Sequence, residues 1–367
     1  MLYNWELPNW PDFKYSLEGL QSVLDAYLLE TGEVSGMLKS LPDAIGEQLL
    51  VEAMLAEALK TSQIEGEFLS RQDVMSSIRN NLGLSISPEP VRDRRSQGIG
   101  ELMVDVRRTY NLDLTRQKLW QWHQMALESS LGTRAGQWRK GSEPMQILSG
   151  SIGREKIHFQ APPSDLVPEE MDRFISWFND TAPKGKKPLK SAPVRAAVVH
   201  LYFESIHPFE DGNGRIGRAL AEKALSQTMD RPLIISLSQT IEADKKSYYQ
   251  ALESAQRCND ISEWIRYFVN VVLDAQTQSR QQINFTLEKT KFFDRFSDKL
   301  NQRQTKIVKT MLEAGIKGFE GGMSAKKYMS IAKTSKATAT RDLQELLEIG
   351  VFIIEGAGRS IRYILKV

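Results

Sequence analysis

Twelve consecutive residues, His207-Pro208-Phe209-Glu210-Asp211-Gly212-Asn213-Gly214-Arg215-Ile216-Gly217-Arg218, collect the groups that phosphate chemistry uses. His207 is a base that exchanges a proton near neutral pH. Asp211 offers the hard oxygen that Mg²⁺ prefers. The Gly212-Asn213-Gly214 turn lets backbone N–H groups close on an anion, because glycine accepts positive φ and has no Cβ to block approach. Arg215 and Arg218 are three residues apart and so share one face of a helix that begins here. A phosphate at that N-terminus meets open N–H groups and the positive end of the helix dipole. Asp-Gly-Asn-Gly alone is an ordinary turn, but a turn needs neither His207 and Phe209 nor two arginines in phase.

With these residues in place, the run resembles the core motif of Fic-domain proteins, H-x-F-x-[D/E]-G-N-G-R-x-x-R, at every specified position. The resemblance implies a protein adenylyltransferase that moves AMP from ATP to a Ser, Thr or Tyr hydroxyl of a target protein and releases pyrophosphate. It implies His207 as the base for in-line attack on the α-phosphorus and Asp211 as the Mg²⁺ ligand between α- and β-phosphates. Gly212, Asn213 and Gly214 are then the anion hole, Arg215 and Arg218 hold the β/γ-phosphates, and Phe209 is buried to fix the loop. Some relatives have Lys where Gly214 stands and transfer a different part of the nucleotide, so Gly214 favours adenylyl transfer. Positioning and charge neutralisation carry most of such a reaction, and these groups supply both.

A second segment, Thr61-Ser62-Gln63-Ile64-Glu65-Gly66, is similar to the family's inhibitory pattern [S/T]-x-x-x-E-[G/N]. The resemblance implies that Glu65 enters the ATP site and pairs with Arg218, which otherwise takes the γ-phosphate. Shielded Arg–carboxylate pairs are strong enough to compete for that role. Glu65-Gly66 also reads as a plain helix end with a glycine cap. Aligning Pro162-Pro163 with the family's prolines after its flap sets Ile157, His158, Phe159 and Gln160 against ATP. The flap of relatives also pairs with the target by strand addition. His158 is either a nucleotide contact or an exposed hairpin histidine. Ser247–Glu253 resembles the helix whose tyrosine packs on adenine, which points to Tyr248. Gln256 stands where relatives often place a nucleotide-contacting asparagine. His123 and His200 read as helix-surface or packing residues.

The elements that must position these groups are mainly helical. Apolar residues recur at helical spacing from Tyr15 to about Gly83, from Arg92 to Tyr110 and from Leu114 to Leu127. Gly136 to His158 is glycine-rich, with Gln146–Leu148 and Ile157–Phe159 as extended pieces around Ser149-Gly150-Ser151-Ile152-Gly153, a β-hairpin flap. Helices resume at 167–179, 194–205, 216–229, 245–256 and 261–278, and 285–303 reads as a connecting helix. Beyond it, 304–312, 324–331 and 335–346 read as three helices. Val351–Ile354 and Ile361–Leu365 then form a hairpin around Gly356-Ala357-Gly358-Arg359. Three helices and a hairpin resemble a winged helix, with Thr338, Thr340 and Arg341 on its third helix. Residues 298–367 hold 13 Lys/Arg against 7 Asp/Glu. Both DNA and a protein surface are open as partners for this module.

The expected organisation is an N-terminal helical region (1–90) carrying the inhibitory motif, a Fic catalytic domain (91–284), and a linker helix with a winged-helix-like domain (285–367). A net charge of +2 gives no bulk attraction to nucleic acid or membrane. Cys258 is the only cysteine, so no intramolecular disulfide forms. The N-terminus lacks a basic segment followed by an apolar run, and no stretch suits a membrane span; the expected setting is cytoplasmic. ATP is the expected substrate, with Mg²⁺, and a homodimer is compatible with the sequence. Removal of AMP by the same site, with Glu65 positioning water, is a second reading. A DNA-binding regulator whose Fic core senses nucleotide is a third.

Overall fold

The computed structural model of the chain describes residues 2–127, 135–150, 153–316, 318–356 and 360–366. Ser151 and Ile152 of the expected flap turn, and Ala357, Gly358 and Arg359 of the expected C-terminal turn, lie outside the described residues. The chain is mainly helical and forms two compact units, Met1–Ser279 and Arg280–Val367. The region expected at 1–90 and most of the expected catalytic domain therefore share one unit. Among the described residues no helix is long and apolar enough to cross a membrane.

The first unit contains, in chain order, α1 (Gln21–Ser40), α2 (Asp43–Ile64), α3 (Arg71–Leu82), α4 (Arg94–Arg108), α5 (Arg116–Ala126), β1 (Gln146–Ser149), β2 (Lys156–Gln160), α6 (Val167–Asp180), α7 (Ala192–Ile206), α8 (Asn213–Thr228), α9 (Leu237–Ala243) and α10 (Lys245–Ala255). Every residue of α7 is buried, and so is almost all of α8. Burial on every face places these two helices in the middle of the unit, where they sit side by side, although both carry charged residues. Arg195 shows how a charged residue of this pair is satisfied. Arg195 donates to the Phe178 carbonyl (2.9 Å), the Ala224 carbonyl (3.1 Å) and Gln227 Oε1 (2.9 Å), joining the C-terminal ends of α6 and α8. The loop between α7 and α8 is 207–212, so the motif hangs between the two most buried elements of the unit.

The flap is an antiparallel pair with Gln146 opposite Gln160 and Ile147 opposite Phe159, and a bulge before Leu148. α9 was not expected. It is held to α2 by buried Glu57, which accepts from Ser236 Oγ and from both the backbone and hydroxyl of Ser238. The segment before α1 also went unread, because its aromatic residues have no period. It wraps the flap and the α10 end. Tyr3 packs edge-on to Phe159 at 5.1 Å, and Trp5 Nε1 donates to the Gln160 carbonyl (2.7 Å). Ile261 N donates to the Lys14 carbonyl (2.8 Å), and Lys14 N to the Asn259 carbonyl (2.7 Å).

The expected helices at 261–278 and 285–303 are one helix, α11 (Ser262–Phe296). It stops short of 303 because Asn301 caps a new helix. Its side chain accepts from Gln304 N (3.0 Å), and Gln304 Oε1 accepts from Asn301 N (2.9 Å). The second unit continues with α12 (Gln302–Glu313), α13 (Ala325–Ala332), α14 (Lys336–Glu348) and the antiparallel pair β3 (Phe352–Glu355) and β4 (Arg362–Leu365). Its core is Ile307, Val308, Tyr328, Leu343, Leu346 and Val351. Asp342, fully buried, takes two bonds from Arg303 (2.9 and 3.1 Å) and one from Tyr328 (2.9 Å), tying α12, α13 and α14 together.

Asn4 offers a test of the N-terminal wrap. It is fully buried, donates to Ser205 Oγ (2.8 Å) and accepts from Trp5 N (2.8 Å). Asn4→Ala is expected to cost about 1–3 kcal/mol, because the Ser205 hydroxyl loses its partner in the core. Urea unfolding of the variant and the parent, followed by tryptophan fluorescence, measures the difference.

Candidate active site

α7 ends at His207, whose φ of 50° and ψ of 59° turn the chain out of the helix. A non-glycine residue in this region carries strain that surrounding structure must over-determine. Arg139 does so. Its guanidinium is buried and donates to the carbonyls of His207 (2.8 Å), Ile206 (3.4 Å) and Pro162, and to Ser164 Oγ (2.8 Å). One cation thus joins the end of α7 to the chain leaving the flap. Phe209 is fully buried, stacked on His123 at 3.8 Å and packed on Trp138 at 5.1 Å. His123 Nδ1 accepts from Gly136 N (2.9 Å), which leaves Nε2–H to donate to the Asp211 carbonyl (3.0 Å). His123 is therefore a buried support of the motif loop, more than a packing residue. Neither His123 nor Arg139 carried a sequence signal, since their partners are main-chain oxygens far along the chain.

Gly212 (φ 80°) closes the loop, and α8 begins at Asn213. The Asn213 side chain does not face an anion. Its oxygen accepts from Phe209 N (2.9 Å) and its nitrogen donates to Phe209 O (2.8 Å). What this leaves for an anion is the first turn of α8 with its open N–H groups. The Asp211 side chain is 55% exposed, with Oδ1 accepting from Gly212 N (2.6 Å) and Oδ2 3.8 Å from Arg215.

Glu65 reaches this loop from the end of α2. The glycine cap is there, with Gly66 at φ 83° and Glu67 N bonded to the Ser62 carbonyl (2.9 Å). The cap ends the helix and leaves the Glu65 carboxylate beside Arg218. Glu65 Oε1 accepts from Arg218 Nη2 at 2.8 Å. Arg218, 1% exposed, also donates through Nε to Thr61 Oγ1 (2.8 Å) and through Nη2 to the Thr61 carbonyl (3.1 Å). The threonine of the six-residue pattern is thus a ligand of the same arginine. Burial alone raises the Glu65 carboxyl, but the charges of Arg218, Arg215 and Lys245 hold it below its ordinary value. Gly214 has no Cβ, and one built there falls on Glu65 Oε1 and within 2.9 Å of Arg218 Nη1. Arg215 is occupied as well: Nη1 donates to Glu67 Oε2 (2.9 Å) and to the Ala126 carbonyl (3.0 Å). Glu67 was not foreseen; it lies just past the glycine and outside the pattern.

The flap residues divide. Ile157 is exposed, but Phe159 is buried against Tyr3, its ring turned inward. His158 bridges Ser149 Oγ (2.5 Å) and Glu253 Oε2 of α10 (2.8 Å), and Gln160 Oε1 takes Gln146 Nε2 (2.9 Å). Tyr248, expected against adenine, is 2% exposed with its hydroxyl bonded to His200 Nε2 (2.8 Å). Its ring is enclosed in the core and has no open face. Tyr249, 41% exposed and sensing the charges of Glu65 and Arg218, is the accessible ring. Gln256 is also enclosed, donating to the Glu204 carbonyl (3.2 Å).

His123, His200 and His207 are pushed down to about 4 by burial, His207 also by the Arg139 charge. All three are neutral at pH 7, so the His207 ring is unprotonated there. A depressed folded pKa contributes stability that is complete above about 6.5 and lost as pH falls toward 4. Glu204 and Glu222, raised by burial to about 8 and about 7, act in the opposite sense. Three histidines outweigh two glutamates. The difference is about one proton, so unfolding free energy is expected to fall by about 1 kcal/mol per pH unit as pH drops from about 6 to about 4.5. Urea titrations at stepped pH check the slope; a flat profile excludes buried neutral histidines.

Comparisons with known proteins agree with this geometry. Residues 113–225 match the Fic/DOC family, and residues 3–84 match a domain of unknown function (DUF4172). Protein adenylyltransferase fic-1 of Caenorhabditis briggsae is 29% identical over 124 residues, 33% of this chain and 22% of that protein. Protein adenylyltransferase Fic of Nematostella vectensis is 33% identical over 110 residues, 30% of this chain and 23% of that protein. The matches thus span less than a quarter of those relatives. A Fic family protein from Desulfovibrio desulfuricans shares the fold, with a TM-score of 0.54 at 18% identity over 97% of this chain and 98% of that one. The loop from His207 to Arg218, held between two buried helices, lies inside the matched segment: this chain carries a Fic/DOC-family domain.

Proposed function

We propose that this protein is an adenylyltransferase acting on a hydroxyl of a target protein, with its own N-terminal region closing the nucleotide site. The observation that carries the reading is the Glu65–Arg218 pair beside the His207 loop. In the reaction, the target hydroxyl gives its proton to His207 Nε2 as its oxygen attacks the α-phosphorus of ATP. The new O–P bond forms as the bond to the β-phosphate oxygen breaks, and pyrophosphate leaves. The first turn of α8 receives phosphate oxygens, and Arg215 and Arg218 neutralise the rest of the triphosphate. Asp211 suits Mg²⁺: an exposed lone carboxylate, with no group of three or more metal-binding side chains among the described residues, fits an ion held largely by substrate phosphates and water. Bound there, the ion would supply charge neutralisation at the phosphates.

Inhibition in this reading is competition for two arginines. Glu65 holds Arg218 and Glu67 holds Arg215, each at or below 2.9 Å. Glu65→Gly is expected to raise AMP self-labelling by roughly 5–150-fold with ATP and Mg²⁺, the size of a 1–3 kcal/mol shift. Glu67→Gln added to it should raise labelling further, and Arg218→Ala should cancel the gain. If Glu65→Gly lowers every activity, Glu65 belongs to catalysis, as in AMP removal. His207→Ala in the Glu65→Gly background should lose about 10²–10⁴ in rate while ATP still binds. Labelling at the unmodified rate removes His207 from the chemistry.

For the second unit we propose a winged-helix-like docking role, favoured by the exposed Lys336, Thr340, Arg341 and Gln344 along α14. If the partner is DNA, binding to mixed duplex is salt-sensitive, and Lys336→Ala with Arg341→Ala weakens it. No binding at low salt leaves a protein partner.

A further inference from the structure

We propose that Glu204 is a positioning residue for His207: its side chain lies beneath the imidazole, so Nδ1 carries the ring proton and Nε2 is left to act as the base. Glu204 stands one turn before His207 in α7, with Oε2 3.7 Å from His207 Nδ1. The two side chains are 5% and 11% exposed. His207 Nδ1 and Glu204 Oε1 are both sealed from solvent without a hydrogen-bond partner. The Glu204 backbone also favours the protonated ring. An imidazole edge that faces acceptors keeps its hydrogen there, which frees the other nitrogen.

The motif itself leaves room for this carboxylate. Gly217 of α8 has no Cβ, and one placed there falls on Glu204 Oε1 and 3.2 Å from the His200 ring. The charged and titratable groups around Glu204 are Arg218 from α8, Glu65 from the end of α2, Tyr248 from α10, and His200 and His207 from its own helix. Arg139 faces the His207 ring and disfavours its protonation. Against that cation, a carboxylate beside Nδ1 is the countercharge that lets Nε2 accept a proton. Burial pushes Glu204 up to about 8, with Arg218 lowering it and Glu65 raising it. Glu204 thus ionises in mildly alkaline solution, and the basicity of His207 rises with it. The step is a proton transfer only: the hydroxyl proton moves to Nε2, Nδ1–H stays in place, and no bond at Glu204 breaks.

The kinetic consequence rests on the AMP-transfer reading; the tautomer does not. The test uses the full-length chain with ¹⁵N-labelled histidine, whose four imidazoles are few enough to assign. Above pH 8, His207 in the unmodified protein should be the Nδ1–H tautomer, and Glu204→Gln should convert part of it to Nε2–H. In the Glu65→Gly background, Glu204→Gln should lower kcat for AMP transfer by about 10–100-fold, with KM for ATP within about threefold. It should also abolish the rise of kcat with pH near 8, and Glu204→Asp should retain that rise. An Nε2–H tautomer in the unmodified protein overturns the proposal. So does a folded Glu204→Gln variant with unchanged tautomer and pH profile. Should Glu204→Gln not fold, Glu204→Asp and the unmodified tautomer decide. If the Glu65→Gly chain transfers no AMP at any pH, the functional reading fails, and the tautomer alone judges Glu204.

Discussion

The guanidinium of Arg218 is 1% exposed, and the surroundings of the site follow from the acceptors that so buried a cation needs. A buried charge left unpaired costs several kcal/mol; Arg195 meets that cost with neutral oxygens alone, whereas Arg218 is matched by a carboxylate. In this structure Glu65 is that group, and Thr61 supplies two further acceptors. The requirement explains Gly214, where any side chain displaces the Glu65 carboxylate. It explains why Glu65 stays ionised despite burial. A phosphate is another anion that meets the same need, and in the proposed function the two compete for this arginine.

The loop is rigid for a related reason. α7 and α8 are buried along their length, so their ends cannot shift without disturbing the core. Between them, most partnered backbone groups of 207–212 are held from outside the loop or by Asn213, and Gly212 N is held by the Asp211 carboxylate. Arg139 gathers the α7 end, His123 the Asp211 carbonyl, and Asn213 both backbone groups of Phe209. The strain at His207 is the local result of this clamping, and it turns the imidazole away from the helix axis.

The sequence made the motif and Glu65 legible because their chemistry depends on residue type at fixed spacing. The flap was legible from its glycines and paired apolar pieces. Supports whose partners are main-chain oxygens were not, as Arg139 and His123 show. The Tyr248/Tyr249 pair shows another limit: two adjacent tyrosines on a helix lie about 100° apart, and only the packing of α10 on His200 and Trp264 decides which is enclosed. Phe159 was misplaced because its neighbour, Tyr3, lies in a segment with no period to read. Asn213 looked like an anion ligand by type, and its loop geometry uses both ends on Phe209. Glu67 and Glu204 are carboxylates at unremarkable positions, each given meaning by an arginine or histidine distant in sequence or one turn away.

What must move for an anion to reach Arg218 is small. α2 is locked: Glu57 holds α9, Lys245 bonds the Ile64 carbonyl, and Thr61 and Ile64 are buried. Glu65 itself is the cap residue, with 28% of its side chain in solvent. Turning it outward breaks one ion pair and leaves the helix intact, and an arriving phosphate restores the lost countercharge. In the proposed function, rotation of this one side chain opens Arg218, and the carboxylate and phosphate compete for it. Glu67 adds a second such contact at Arg215, also on a partly exposed side chain, so the two arginines can be released one at a time.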